Sequence, residues 1–373
     1  MLGLYLHIPF CAAICNYCNF NRGLFDATLK ERYVAALLSE ITRAGDGAAA
    51  DTIYFGGGTP SLLEPAEVGV LVDACARAWR LAPDTEVTLE ANPETVTPAR
   101  LAGFRAAGVN RLSVGVQSFR DEELVRLSRL HAASRAVEAY RAARAAGFDN
   151  ISLDLMMWLP QQSVADWLAS VDALIALEPD HASMYLLEIY PNAPLRAAMA
   201  RGRWSVAPDD AAADMYLSGL DRMDSAGYVQ YEISNVARGG RRSRHNLKYW
   251  TDGEWLGLGC GAHSTRDGVR WRNLSSTEEY ISAIDRGRSA SVDHRALTAE
   301  ERIEEALFTA LRLSDGIEVE AFKSRYDVDV WGRYGSALQP FVDQGVLLYD
   351  GRTVRLTRGG MLIAHEVMTV FIQ

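Results

Sequence analysis

From Leu2 to about residue 190, short apolar runs alternate with amphipathic stretches, and this alternation limits what the chain can fold into more than any other feature. Leu2 to Ile8, Asp51 to Phe55, Glu86 to Ala91, Arg111 to Val116, Ile151 to Met156 and Ala182 to Ile189 read as strands, set off by glycine, proline or polar turn residues. Between them, Ala27 to Ala44, Pro65 to Trp79, Pro98 to Ala107, Asp121 to Ala146 and Val164 to Leu177 carry helical spacing. In the first of these, Leu29, Tyr33, Ala36, Leu37 and Ile41 share one face. Strand, helix, strand in this order implies right-handed crossovers and a parallel sheet. About six such units precede residue 190, too few to close a barrel of eight. The expected class is therefore α/β: an incomplete parallel (β/α) TIM-like barrel, open along one side, with a doubly wound open sheet as the alternative.

Residues 191–295 have another texture, with turns, Gly239-Gly240, the basic run Arg241 to Arg244 and one clear helix, Asp209 to Ala226. From about Leu297 the pattern changes again. Helical stretches at Ala299 to Leu313, Val319 to Tyr326 and Tyr334 to Gly345 precede two short strands, Val346 to Tyr349 and Val354 to Leu356, joined by Asp350-Gly351, and then a last helix from Arg358. The chain thus divides into a partial barrel (1–190), a barrel extension (191–295) and a small C-terminal winged-helix-like α+β domain (296–373).

A formal charge of −10 counts against a nucleic-acid groove, so the C-terminal part reads as a packing or interaction module. The same charge disfavours docking on an anionic membrane, except through a local patch such as Arg238 to Arg244. No run approaches the roughly 20 apolar residues of a membrane span, and the apolar N-terminus lacks the basic lead of a signal peptide. Three of the five cysteines crowd one short segment, an arrangement suited to a reducing compartment. The cytoplasm is the expected location.

That segment is Cys11-Ala-Ala-Ile-Cys15-Asn-Tyr17-Cys18, directly after the first strand. Three thiolates leave one corner of a four-iron cluster without a protein ligand, open to an exogenous one. Cys75 and Cys260 lie far away in sequence. A structural zinc site is the alternative, but it would usually draw on a second Cys or His knuckle, and the chain has none. In parallel barrels reactive groups gather where strands end. Glu90, Gln117 and Asp154 fall at or near such ends, and Gly56-Gly57-Gly58-Thr59-Pro60 follows another. Lacking side chains, these glycines let backbone approach a ligand closely.

The Cys-x-x-x-Cys-x-x-Cys spacing, with an aromatic before the third cysteine, resembles the radical S-adenosylmethionine superfamily. The resemblance implies a 4Fe-4S cluster on Cys11, Cys15 and Cys18, whose open iron is chelated by the amino and carboxylate groups of S-adenosyl-L-methionine and which passes an electron to the sulfonium. It implies that Tyr17 lies beside the adenine, and that Tyr5, Gly57, Gly58, Thr59 and Glu90 surround the cofactor. Gln117, Arg129 and Asp154 match positions that surround a second S-adenosylmethionine in the coproporphyrinogen-oxidase branch.

Oxygen-independent coproporphyrinogen III oxidases carry a fourth cysteine two residues beyond the third, where this chain has Phe20, and an extension ahead of the first strand. Both departures resemble the sister group, the HemW-type heme chaperones. So does His245-Asn-Leu-Lys-Tyr249-Trp250, similar to that group's heme-associated segment, which implies His245 as an iron ligand with aromatics over the porphyrin. His263 and Cys260 are rival ligands, and His7 is read as a support for the cysteine loop. Trp158 and Gln161 replace glycines of the family pattern and are expected to add bulk at the barrel mouth. The resemblance implies a carrier that hands heme to an acceptor hemoprotein, such as a respiratory one, with peripheral membrane contact. The alternatives are a coproporphyrinogen III oxidase, a related methyltransferase, or an iron–sulfur protein whose radical chemistry is vestigial.

Overall fold

The computed structural model describes residues 1–372. Six parallel strands follow the expected alternation: β1 (Leu2–Ile8), β4 (Ala49–Gly57), β5 (Arg80–Ala91), β6 (Arg111–Gln117), β7 (Ile151–Met157) and β8 (His181–Leu186). Two very short strands, β2 (Phe10–Cys11) and β3 (Gly23–Leu24), pair in parallel and pin the two ends of the cysteine loop together. The crossovers are α1 (Ala27–Ala44), α2 (Pro65–Ala78), α3 (Pro98–Ala106), the pair α4 (Asp121–Arg126) and α5 (Ala133–Ala145), and α6 (Val164–Leu177). Their starts are capped as the sequence dictates. Asp26 accepts from the Leu29 amide, Glu64 and Glu67 form a capping box with Pro65 in the first turn, and Ser163 with Asp166 forms another.

Alternation along the strands sorts the side chains. Leu4 and Leu6, Ile53 and Phe55, Leu89, Leu112 and Val116, Leu153 and Leu155 are fully buried against the helices. Each such side chain contributes about 1.5–3 kcal/mol by leaving water. The intervening residues turn the other way, and they are polar: Tyr5, Tyr54, Glu90, Arg111, Ser113, Asp154 and Ser183. The core therefore lies between sheet and helices, and the concave side of the sheet is a hydrophilic lumen.

The expected continuous helix from Asp121 to Ala146 is broken. Ser128 adopts a left-handed conformation (φ 55°), and His131, whose ring meets the Val116 carbonyl at 3.1 Å, helps hold the break against the sheet. The last parallel strand also stops at Leu186, short of Ile189. Residues 191–295 contribute strands to both edges of the same sheet. After α7 (Pro194–Gly202) and α8 (Asp209–Ser225), β9 (Val229–Glu232) and β10 (Asn235–Ala237) add antiparallel beyond β8. After α9 (Arg244–Trp250), β11 (Trp255–Leu258) pairs in parallel with β1, followed by β12 (His263–Arg266), β13 (Val269–Asn273), α10 (Thr277–Asp285) and β14 (Ser291–Ala296). The twelve-stranded sheet leaves β1 and β8 unpaired with one another, so the barrel is open on that side.

The C-terminal part runs α11 (Ala299–Ala310), β15 (Ile317–Glu318), α12 (Val319–Tyr326), α13 (Val330–Asp343), β16 (Leu347–Tyr349) and β17 (Thr353–Leu356). Its three strands form a separate small sheet. Asp252 receives Arg302, Arg325 and Tyr326 from this part, and Glu232 receives Arg312, which fastens it across the open side. Among the described residues, no helix is long and apolar enough to cross a membrane.

Candidate functional site

The cysteine loop hangs over the mouth of the lumen. Cys11, Cys15 and Cys18 line one cavity of about 400 Å³ together with Tyr17, Gly57, Gly58, Thr59, Glu90, Gln117, Arg129 and Asp154. Eleven of the twelve positions expected around the cluster and S-adenosylmethionine thus face one space. The exception is Tyr5, which lines a smaller adjoining chamber with Glu232, Asn246, Tyr249, Trp250 and Arg312. Tyr54, Glu90, Tyr185 and Asn246 line both spaces.

Glycine is required where β4 ends. A Cβ on Gly58 would lie 2.7 Å from the Phe10 carbonyl oxygen, and one on Gly57 (φ +117°) 2.6 Å from the His7 ring. This close approach lets the Gly58 amide donate to the Ile8 carbonyl (2.8 Å) and the Thr59 amide to the Phe10 carbonyl (2.7 Å). The glycine turn and the cysteine loop are therefore one hydrogen-bonded unit. His7 sits beneath it, with Nε2 2.8 Å from the Asn21 carbonyl and Nδ1 3.1 Å from the Tyr5 hydroxyl, so it braces the loop.

Two donors reach the sulfurs. Thr59 Oγ1 lies 3.6 Å from Cys11 Sγ, and Arg129 Nη1 lies 3.5 Å from Cys15 Sγ. Arg129 springs from the break between α4 and α5, is anchored by Asn92 Oδ1 and the Gly115 carbonyl at 2.8 Å each, and spans loop and sheet. A solvated helix arginine would have none of these partners. Burial pushes the Cys11 thiol up, and the Thr59 hydroxyl works against that rise. Tyr17 packs beside Leu127, Met156, Leu159, Leu187 and Leu195, which fixes the loop's second half.

Glu90 accepts from the Tyr54 hydroxyl (2.8 Å) and the Gly57 amide (3.1 Å). Burial pushes its carboxyl up to about 7, against the pull of these donors. Asp154 is also raised by burial, and serines serve it: Ser113 at 3.0 Å and Ser152 at 3.1 Å. Among the described residues, no three Cys, His, Asp or Glu side chains converge tightly enough for a single ion. A cubane takes each thiolate on a separate iron, which suits three cysteines distributed around one cavity.

The segments that match known families now have a structural setting. Residues 5–174 match the radical SAM superfamily profile and residues 297–363 the HemN C-terminal domain. The chain is 42% identical to the heme chaperone HemW of Escherichia coli, with 100% of this chain and 98% of that one covered. It is 35% identical to the heme chaperone HemW of Bacillus subtilis, over 100% and 99%. It belongs to the HemW heme-chaperone family. The HemW family's fold also appears in the E. coli coproporphyrinogen III oxidase structure, with a TM-score of 0.87 over 99% of this chain and 89% of that one, at 22% identity. A mitochondrial radical S-adenosyl methionine domain-containing protein of Bos taurus is 35% identical over 98% of this chain and 86% of its own.

The structure places His245, which the HemW-type resemblance implies as an iron ligand, behind the smaller chamber rather than on its lining. Its ring is fully buried, Nδ1 is 2.8 Å from Thr52 Oγ1, Nε2 is 3.0 Å from the Tyr249 hydroxyl, and it stacks on Tyr54. Burial, then the charges of Lys248 and Arg111, hold its pKa down to about 3. In this arrangement both nitrogens of a neutral ring are engaged. The rivals fare no better: His263 is exposed on β12 and Cys260 is buried beneath Asn21, and neither lines a cavity. Tyr249 and Trp250 do face the smaller chamber.

The bulk expected from Trp158 and Gln161 is also absent from both cavities. Each keeps the left-handed backbone (φ 62°) that favours glycine, and their side chains turn outward to the carbonyls of Ala207 (2.8 Å) and Ser205 (3.3 Å). Arg111, Ser113, Tyr54, Asn92, Ser183 and Tyr185 also line the main cavity without having been singled out from sequence. Their signal was present as strict alternation, in Arg111-x-Ser113-x-Gly115-x-Gln117 and His181-x-Ser183-x-Tyr185. Strands covered on both faces by apolar matter would not carry it.

Proposed function

We propose that this chain is a heme chaperone, which binds heme together with a 4Fe-4S cluster and S-adenosyl-L-methionine and hands the heme to an acceptor hemoprotein. The observation that carries this reading is a three-cysteine mouth opening into a polar lumen that adjoins a second chamber walled by Asn246, Tyr249 and Trp250. Cys11, Cys15 and Cys18 would hold the cluster. When bound, it would supply an electron to the sulfonium of S-adenosylmethionine. The residues of the chain have simpler tasks: Thr59 and Arg129 donate toward the sulfurs of Cys11 and Cys15, Glu90 would accept hydrogen bonds from the methionyl ammonium, and the Gly57 to Thr59 backbone would guide it. Gln117, Arg129 and Asp154 leave room for a second such molecule. The porphyrin lies against Tyr249 and Trp250, with His245 acting from behind as a brace.

Anaerobically reconstituted protein, titrated with heme and then mixed with an apo-hemoprotein of the respiratory chain, is expected to bind heme near stoichiometrically and release it to the acceptor. The oxidase reading draws on the shared fold with the coproporphyrinogen oxidase structure, against Phe20 at the fourth cysteine position. It is tested in the same preparation by adding coproporphyrinogen III and S-adenosylmethionine. Formation of protoporphyrinogen would overturn the chaperone reading. Five free cysteines, three of them crowded in one loop, suit a reducing compartment, which we take to be the cytoplasm, with contact to a membrane made through the acceptor.

A further inference from the structure

The lumen holds one charged group that the reading above leaves idle. Arg111, the first residue of β6, is 1% exposed and lines the main cavity two residues below Ser113. Its Nε and Nη1 have no hydrogen-bond partner among the described residues. The lumen does not lack carboxylates, yet each is engaged elsewhere. Glu86 accepts from the backbone amides of Arg244 and His245 at 3.2 Å each, Glu90 from Tyr54 and Gly57, and Asp154 from Ser113 and Ser152. The other arginines of the main cavity are anchored, Arg129 by three acceptors and Arg22 by the carbonyls of Cys18 and Phe20.

A guanidinium buried without hydrogen-bond acceptors is costly; the charges of Glu86 and Asp154 lie near enough to favour its charged form, yet neither carboxylate accepts from its Nε or Nη1. Serving those acids with serines and amides leaves Arg111 available for an anion. Carboxylates match its planar donor set. Tyr54, Tyr185 and Asn246, which line the cavity with Arg111, also line the chamber of Tyr249 and Trp250. A flat ligand seated in that chamber therefore has a path for an acidic arm to the lumen floor.

We infer that Arg111 anchors a propionate carboxylate of the bound tetrapyrrole, so that the chaperone recognises its cargo by acid side arm as well as by iron. This rests on the heme reading above. The test compares iron protoporphyrin IX with its dimethyl ester on cluster-loaded wild-type protein and on R111Q and R111K, with iron content and S-adenosylmethionine affinity measured alongside. Wild type is expected to prefer the free acid by about tenfold or more, the gain of one charge-assisted hydrogen bond. R111Q is expected to bind acid and ester alike, and R111K to fall between, all with full iron content. Equal affinity of wild type for acid and ester, which needs no variant, would overturn the assignment while leaving heme binding intact. Loss of S-adenosylmethionine affinity in R111Q without loss of heme affinity would overturn it in favour of the methionyl carboxylate. Absence of heme binding by wild type would remove the chaperone reading itself, and this assignment with it.

Discussion

Glu90 combines burial with two donors and titrates near neutrality, which makes it the residue whose state is easiest to read in solution. With its carboxyl held up to about 7 in the free protein, a methionyl ammonium placed beside it would favour the ionised form and lower that value. Affinity for S-adenosylmethionine should therefore be full above pH 7 and fall as the solution is acidified through it, by up to about tenfold per unit. Equilibrium binding on anaerobic protein between about pH 6 and pH 8 checks this, and E90Q should bind weakly with the pH dependence gone. At the mouth, C18S should lose the cluster's visible absorbance and its iron, since two thiolates cannot close three corners; retained iron would show that the ligands lie elsewhere. The cysteines, Glu90 and Asp154 were legible in sequence because spacing and strand ends mark them. Arg111 and Tyr54 were not, because a polar residue inside a strand reads as an edge until the lumen shows where it faces. The surroundings of His245 were not legible either: histidine beside aromatics looks the same in sequence whether its nitrogens are free or, as here, engaged by Thr52 and Tyr249.

Among the elements, the glycine turn after β4 and the broken helix after β6 do most to shape the mouth. G58A would press its Cβ on the Phe10 and Ile8 carbonyls, so a destabilisation of about 1–3 kcal/mol is expected, together with poor cluster retention on gel filtration. G47A is the control. Gly47 has a left-handed backbone (φ 74°), which Gly58 does not share, and open space around it; its cost should be the backbone strain alone, about 1 kcal/mol, with iron content unchanged. The six strands and their helices were readable because period-two and period-3.6 patterns dominate them. The interruption at residues 127–132 was not, since the apolar spacing of α4 continues into α5 and only tertiary bonds, Arg129 to Gly115 and His131 to Val116, reveal the break. The strands between residues 229 and 296 escaped notice because each is only three to six residues long, too short to show a period.

At the scale of the whole molecule, the C-terminal part and the barrel are joined through charges on either side of the opening. Glu232 is 1% exposed, and burial raises its carboxyl pKa while Arg312 opposes the rise. Removing the arginine in R312M would leave a buried carboxylate unpaired, at a cost of about 2 kcal/mol once the partial exposure of Arg312 is discounted. Urea unfolding should show the deficit at neutral pH and a smaller one in acid, where the carboxyl is protonated in both folded and unfolded chains. Around the smaller chamber, side chains of α9 and Arg312 stand among the residues that close the lumen. Rotamers turn over in nanoseconds, far faster than strands separate, so a guest in that chamber could come and go by side-chain motion alone while the cysteine loop keeps its shape.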